Sequence, residues 1–205
     1  MSRLVAFFAI FFISSQVLQA DIVSTFDTNA EGWLPVGGAL SHNASGGNPT
    51  GFIQVADTNG STIFDVVAPA AFHGDLSQYN GGRISYDAIT TNSGNGTSVI
   101  DLGLRYGAIT ITGNGESASF DFGYVPSSTW TAYLAPLNAA DWGKNQAEWA
   151  GILGDVTDIR VAIEGFSGDD VMGFDNFHVS VPEPSAGVVT LFFGCIGVLR
   201  RRRKS

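Results

Sequence analysis

Asn80-Gly81-Gly82 followed by Arg83-Ile84-Ser85-Tyr86-Asp87-Ala88-Ile89-Thr90 reads as a tight turn that delivers a strand. Asn-Gly-Gly is a strong turn signal, because asparagine and glycine accept the left-handed backbone that tight turns demand. The strand over 83–90 sends Ile84 and Tyr86 to one face, which predicts that both are buried. Outward from it the same grammar repeats. Upstream, 22–26, 52–56 and 62–67 read as strands, with the polar, Gly-rich stretch 41–50 as a loop. Residues 26–33 turn into a second short strand. Downstream, 98–112 reads as one long strand or two broken near Gly107, and 117–124, 130–134, 157–164 and 172–181 follow. The stretch 146–153 predicts the only helix of this region, with Trp149, Ile152 and Leu153 at helical spacing and Gly154 as C-cap. Short strands separated by Gly, Asn, Asp and Ser clusters, with no repeat of 20–50 residues, predict an all-β sandwich.

Both ends have a different composition. Arg3 precedes an apolar run over 4–18, and Leu18-Gln19-Ala20 suits cleavage, so 1–20 reads as a signal peptide and the mature chain starts at Asp21. At the other end Val181-Pro182-Glu183-Pro184-Ser185 opens a stiff spacer, because two closely spaced prolines forbid helix. An almost uncharged run over 186–199 follows, then Arg200-Arg201-Arg202-Arg203-Lys204. As a helix that run spans about 21 Å, short for a ~30 Å hydrocarbon core, with arginines that snorkel and stay cytoplasmic.

This order of Pro-Glu-Pro, short apolar segment and Arg-rich end resembles the PEP-CTERM sorting signal of bacterial exported proteins, over 181–205. The resemblance implies a sorting motif at Pro182, Glu183 and Pro184 and an exosortase-type membrane protease as partner. It also implies transient membrane anchoring through the C-terminal helix and an exported, surface or extracellular fate for residues 21–180.

Between those ends, four basic and eighteen acidic residues give a net charge of −14, against −9 for the whole chain. Such a surface repels nucleic acid and anionic lipid and favours divalent cations. The only cysteine, Cys195, lies in the apolar tail, so no intramolecular disulfide staples the region. The core alone must hold it together.

The order of segments carries a second resemblance. Phe26-Asp27 with Glu31-Gly32-Trp33, then Gly47-Asn48-Pro49-Thr50-Gly51-Phe52-Ile53 with Asp57, begin it. Phe72-His73-Gly74-Asp75-Leu76, Gly82-Arg83-Ile84-Ser85-Tyr86-Asp87, Trp130 to Leu137 and Gly173-Phe174-Asp175-Asn176-Phe177 complete it. In this order the region resembles the laminin B (laminin IV-type) module and related jelly-roll, galactose-binding-like sandwiches. That implies a jelly roll whose terminal strands pair, and an adhesive or carbohydrate-binding role rather than catalysis.

Motifs for catalysis are lacking. His42, His73 and His178 lie in unrelated segments without metal-ligand spacing, and no nucleophile-elbow, zinc-protease, phosphate-loop or dinucleotide signature occurs. The reading is therefore a non-catalytic binding or structural module with extracellular polysaccharide as ligand. Its rival is an extracellular carbohydrate-active enzyme using a carboxylate pair.

Jelly-roll modules commonly hold calcium where the first strand meets the last, and calcium takes six to eight hard oxygens. Candidate ligands for a structural Ca²⁺ are Asp27, Glu31, Asn48, Asp57 and Asp175. Asp169-Asp170 reads as a solvated turn. Of the four tryptophans, Trp33 and Trp130 fall in strand patterns and read as core. Trp142 falls in a loop and is the candidate for an exposed ring that stacks on sugar.

Overall fold

The computed structural model describes residues 20–57, 64–123 and 127–183. The strands β1 (Ile22–Ser24), β3 (Ala39–Asn43), β4 (Phe52–Ala56), β6 (Arg83–Asn92), β9 (Thr131–Pro136) and β11 (Val171–Ser180) form one sheet. Its order is β3-β4-β11-β6-β9, with β1 also paired to β11. The strands β2 (Leu34–Val36), β5 (Asp65–Val67), β7 (Ile109–Gly113), β8 (Glu116–Phe120) and β10 (Val156–Ala162) form the second, in the order β2-β5-β10-β7-β8. Every pairing is antiparallel. First strand pairs with last, Val23 opposite His178, as a jelly roll requires. The expected all-β sandwich is what the chain forms.

The turn at 80–82 shows why glycine is needed. Gly81 has φ +85°, and a Cβ on Gly82 would stand 1.9 Å from the Ser180 carbonyl oxygen. That close approach lets β6 start flush against the end of β11. From there Ile84, Tyr86 and Ala88 point inward and are buried, while Arg83, Ser85 and Asp87 point outward. Inward residues of both sheets interlock. Trp33 is ringed by Phe26, Phe72, Phe174 and Phe177, with ring centroids 4.8–5.9 Å away. Tyr86 stacks on Tyr133 at 4.9 Å, and Phe122 packs edge-on against both. Each such ring removes roughly 150–250 Å² from water, several kcal/mol apiece, which is how a chain without a staple holds its core.

Helix α1 (Gln146–Gly154) packs against β7 and β8. Trp149, Ile152 and Leu153 are buried as their spacing predicts. Gly154 is its last residue and Asp155 its C-cap, one position beyond expectation. A capping box starts it: the Asn145 side chain accepts from Ala147 and Glu148 N–H, and Glu148 accepts from Asn145 N–H.

Several segments differ from expectation. The stretch 98–112 is neither one strand nor two, because a 3-10 turn (Val99–Leu102) occupies its first part before β7. Gly103 and Gly107, at φ +74° and +79°, break any strand there. The Gly107 carbonyl accepts the Tyr86 hydroxyl, 2.5 Å away. Strand β1 stops at Ser24 because Phe26 turns to φ +51°. Strand β3 reaches Asn43, taking three residues from the expected loop. No helix among the described residues is long and apolar enough to cross a membrane. The signal peptide (1–19 of it), Pro184 and the apolar run 186–199 lie outside the described residues.

Candidate functional site

The outer face of the larger sheet carries the chemistry. Outward positions of β6, β9 and β11 line a groove of about 430 Å³ that includes Arg83, Ser85, Asp87, Leu134, Asn176 and His178, with Val23 of β1 at its rim. The register explains the grouping: Ser85 stands opposite both Leu134 and His178, and Asp87 opposite both Ala132 and Asp175. Leu134 and Val23 are 54% and 48% exposed, apolar surface set among hydrogen-bonding groups. His178 Nε2 lies 2.9 Å from the Asp21 carboxylate. The Val181 N–H, and after it His178, hold the Asp21 carboxyl below its usual range.

Beside this groove the loop 44–51 is tied onto the sheet. Asp175 is buried and accepts from Asn48 N–H at 2.7 Å and Asn176 N–H at 2.7 Å. Asp87 accepts from the Asn48 and Asn176 side-chain amides at 3.0 and 2.8 Å, and the Asn176 amide also donates to the Asn48 carbonyl. Burial pushes the Asp175 carboxyl up to about 6, opposed by those two N–H groups and reinforced by the charges of Asp87 and Asp27. Gly47 is required here, since a Cβ would stand 2.2 Å from the Gly51 carbonyl oxygen and 2.8 Å from Asp175 Oδ2.

At the loop's edge stands Trp130, and here expectation is corrected. Trp130 is half-buried on the outer face, not between the sheets. It precedes β9, whose inward residues are Tyr133 and Ala135, so the period of two places Trp130, Ala132 and Leu134 outside. Its indole N–H donates to the Gly46 carbonyl at 3.0 Å, and its ring meets Phe52 edge-on at 5.4 Å. Phe52 finds room because Gly173 has no side chain: a Cβ there would stand 3.1 Å from the Phe52 ring. Trp142 is corrected the other way. It is 3% exposed, packs on Phe120 and Trp149, and donates its N–H to the Pro136 carbonyl at 2.7 Å. A loop that folds back under α1 plugs the end of the sandwich with this ring.

The expected calcium ligands separate into two groups. Asp27 lies in the loop after β1, its carboxylate accepting from the Thr25 and Thr50 hydroxyls. Glu31 accepts from Phe26 N–H at 2.7 Å and Thr25 N–H at 3.2 Å. Through Thr50 and Asn48 the 44–51 loop bonds to Asp27 and to Asp175, but Asp27, Glu31 and Asp175 are not among the described carboxylates that converge on one point. Asp57 stands at the other end of β4, about 16 Å of strand away, beside Glu164 and Asp170. Asp170 is completely buried, so it is no solvated turn residue. Of the sorting motif, Pro182 packs near Gly81 and Glu183 lies 3.6 Å from Arg83 at an exposed position.

Sequence reasoning missed Arg83, Ser85, Asp87, Leu134, Asn176 and His178. For Arg83, Ser85 and Asp87 the signal is the alternation with Ile84 and Tyr86. Leu134, Asn176 and His178 carry none, because both faces of β9 hold apolar residues and a register shift interrupts β11 between Asp175 and His178.

No family model and no curated protein sequence matches this chain. Solved structures do resemble it. The L4b domain of human laminin alpha-2 superposes with a TM-score of 0.50 at 11% identity, covering 62% of this chain and 79% of that domain. A family 30 carbohydrate-binding module of a Clostridium thermocellum cellulosomal cellulase gives 0.55 at 14% identity, covering 81% of this chain and 100% of the module. An agarase gives 0.54 at 12% identity, covering 81% of this chain. The chain spans about a quarter (25%) of that agarase. The likeness is one of fold. At these identities it establishes a β-sandwich of the kind that laminin domains and carbohydrate-binding modules share.

Proposed function

We propose that residues 21–180 are a non-catalytic module that binds extracellular polysaccharide on the outer face of the larger sheet. The observation that carries this reading is the composition of that face. A groove with Arg83, Ser85, Asp87, Asn176 and His178 offers donors and acceptors for sugar hydroxyls. Exposed Leu134 and half-buried Trp130 offer apolar surface for the CH faces of the rings. Sandwiches of the same fold include carbohydrate-binding modules, which supports the choice of ligand class. The carboxylate pair on this face, Asp87 and Asp175, has its oxygens engaged by Asn48 and Asn176. That favours a loop-holding role over acid–base catalysis.

Two further elements belong to the proposal. The flanking segments export the module and sort it to the cell envelope, with an exosortase-type protease recognising Pro182, Glu183 and Pro184 and the tail anchoring the chain meanwhile. Calcium binds among Asp27, Glu31, Asn48 and Asp175. The support is topological: the pairing of β1 with β11, and the bonds of the 44–51 loop to Asp27 and Asp175, bring the first and last strands together here. The ion would tie the first strand to the last. A glycan array probed with the purified protein tests the ligand class: binding to polysaccharide fragments is the expected result. A blank array with a folded protein would favour a purely structural envelope role.

A further inference from the structure

Three buried carboxylates meet at the opposite end of the same sheet. Asp57 follows β4, Glu164 lies two residues past the end of β10, and Asp170 immediately precedes β11; they are 4%, 3% and 0% exposed. One oxygen from each lies within 4.8 Å of the others. Two oxygens on opposite sides of a calcium ion, each about 2.4 Å from it, are separated by that same span. A group of this size could hold a single ion.

The state of Glu164 points to a ligand independently of the clustering. Both of its carboxylate oxygens are buried without a hydrogen-bond partner, and both belong to the side chain aimed into the cluster. Asp170 Oδ2 accepts from Gly165 and Phe166 N–H at 3.0 and 2.9 Å, while its Oδ1 has no partner. An orphaned buried carboxylate is among the costliest things a fold can contain, unless a proton or a cation neutralises it. Among the described residues no ion pair reaches these carboxylates: Arg83 pairs with Glu183, Arg105 with Asp121 and Arg160 with Asp158. Burial, with Asp170 and Asp57 adding repulsion, pushes Glu164 up to about 8; burial likewise pushes Asp170 up to about 6. Both directions describe carboxylates lacking a positive neighbour.

We propose that Asp57, Glu164 and Asp170 form a structural calcium site, separate from the one near Asp175, that clamps the crossover from β10 to β11 against the end of β4. An all-oxygen, triply anionic donor set selects a hard divalent cation. The depth of burial of all three side chains disfavours magnesium, which sheds its hydration reluctantly. The placement gives the ion work to do. Residues 163–170 carry the chain from the smaller sheet to the larger, and Asp57 N–H already donates to the Asp170 carbonyl at 3.0 Å. A cation joining all three residues would cross-link both sheets at this end, in a region without a disulfide. This inference does not depend on polysaccharide binding and survives its failure.

The test counts calcium on the full chain. Protein stripped with chelator is dialysed against calcium, and bound metal per chain is measured for wild type, Glu164→Gln and Asp175→Asn. Glu164→Gln removes a buried charge, so it folds without metal and its circular dichroism serves as the control. The expected result is one calcium fewer per chain in Glu164→Gln, with the ion near Asp175 retained. In wild type, calcium at 100 times Kd should raise the folded-to-unfolded ratio about 100-fold for this site. That increment should vanish in Glu164→Gln and persist in Asp175→Asn. Equal calcium counts in wild type and Glu164→Gln, including zero in both, overturn the site.

Discussion

Replacing Trp33 and Trp130 by alanine, one at a time, separates the core from the outer face by energy. Trp33 is 2% exposed, touches four aromatic rings, and donates its indole N–H to the buried Ser24 hydroxyl at 2.9 Å. Emptying that site costs about 3–5 kcal/mol for the cavity and lost transfer energy, and about 1 kcal/mol more for the stranded hydroxyl. Trp130 makes one edge-on ring contact and one hydrogen bond on a half-buried surface, which sums to about 1–2 kcal/mol. For a domain of this size, about 2–4 °C of melting temperature corresponds to each kcal/mol. Trp33→Ala should therefore melt about 10–20 °C lower and Trp130→Ala only a few degrees lower. Urea unfolding followed by far-ultraviolet circular dichroism measures both without relying on tryptophan emission. Equal losses in the two variants would show that Trp130 is core, and would refute the assignment of the outer face.

Other expectations follow from single contacts. Gly82→Ala drives a Cβ into the Ser180 carbonyl oxygen, and backbone cannot yield as a side-chain tip can. A loss of about 2 kcal/mol or more in urea midpoint is expected, and an unchanged midpoint would mean β6 and β11 separate freely at that end. In chelator, stability should fall as pH rises from about 4.5 to about 8, since the folded chain holds on Glu164 a proton that the unfolded chain has released. The drop is on the order of a few kcal/mol, and Glu164→Gln should flatten it; a flat wild-type profile would contradict the burial of that charge. Neutral residues in place of Arg200, Arg201, Arg202 and Arg203 should stall or misplace the protein in cells. Normal surface delivery with the same mature mass would refute the sorting reading.

What could be read from sequence follows the period of two. Alternation in 83–90, and the alignment of 52–56 with β4, identified strands and inward residues such as Ile84 and Tyr86. Alternation says which residues share a face, but not which face is covered. Around β9 both faces hold apolar residues, Trp130, Ala132 and Leu134 against Tyr133 and Ala135, so alternation leaves the phase open and Trp130 reads as readily inward as outward. Trp142 is buried although it lies in a loop, because a loop's exposure depends on what folds over it, here α1. The helix start is written in Asn145 and Glu148, three residues apart, an N-cap and its N3 partner. Least visible was the company Asp57 keeps. Glu164 and Asp170 are more than a hundred positions away in the chain, and only antiparallel pairing of β4 with β11 brings them to it. An Asp-Asp pair in a Gly-rich stretch resembles a solvated turn until its second member proves buried.

The central claim is that the outer face of the larger sheet binds polysaccharide. Affinity electrophoresis through gels containing soluble β-glucan, xylan or agarose tests it most directly, comparing wild type with Trp130→Ala and Leu134→Ser. Retardation of the wild type by at least one polysaccharide is predicted, with about 10-fold or greater weakening in each variant, the equivalent of about 1.4 kcal/mol. Wild-type retardation that both variants retain in full would place binding elsewhere, and no retardation in any gel would contradict the claim itself.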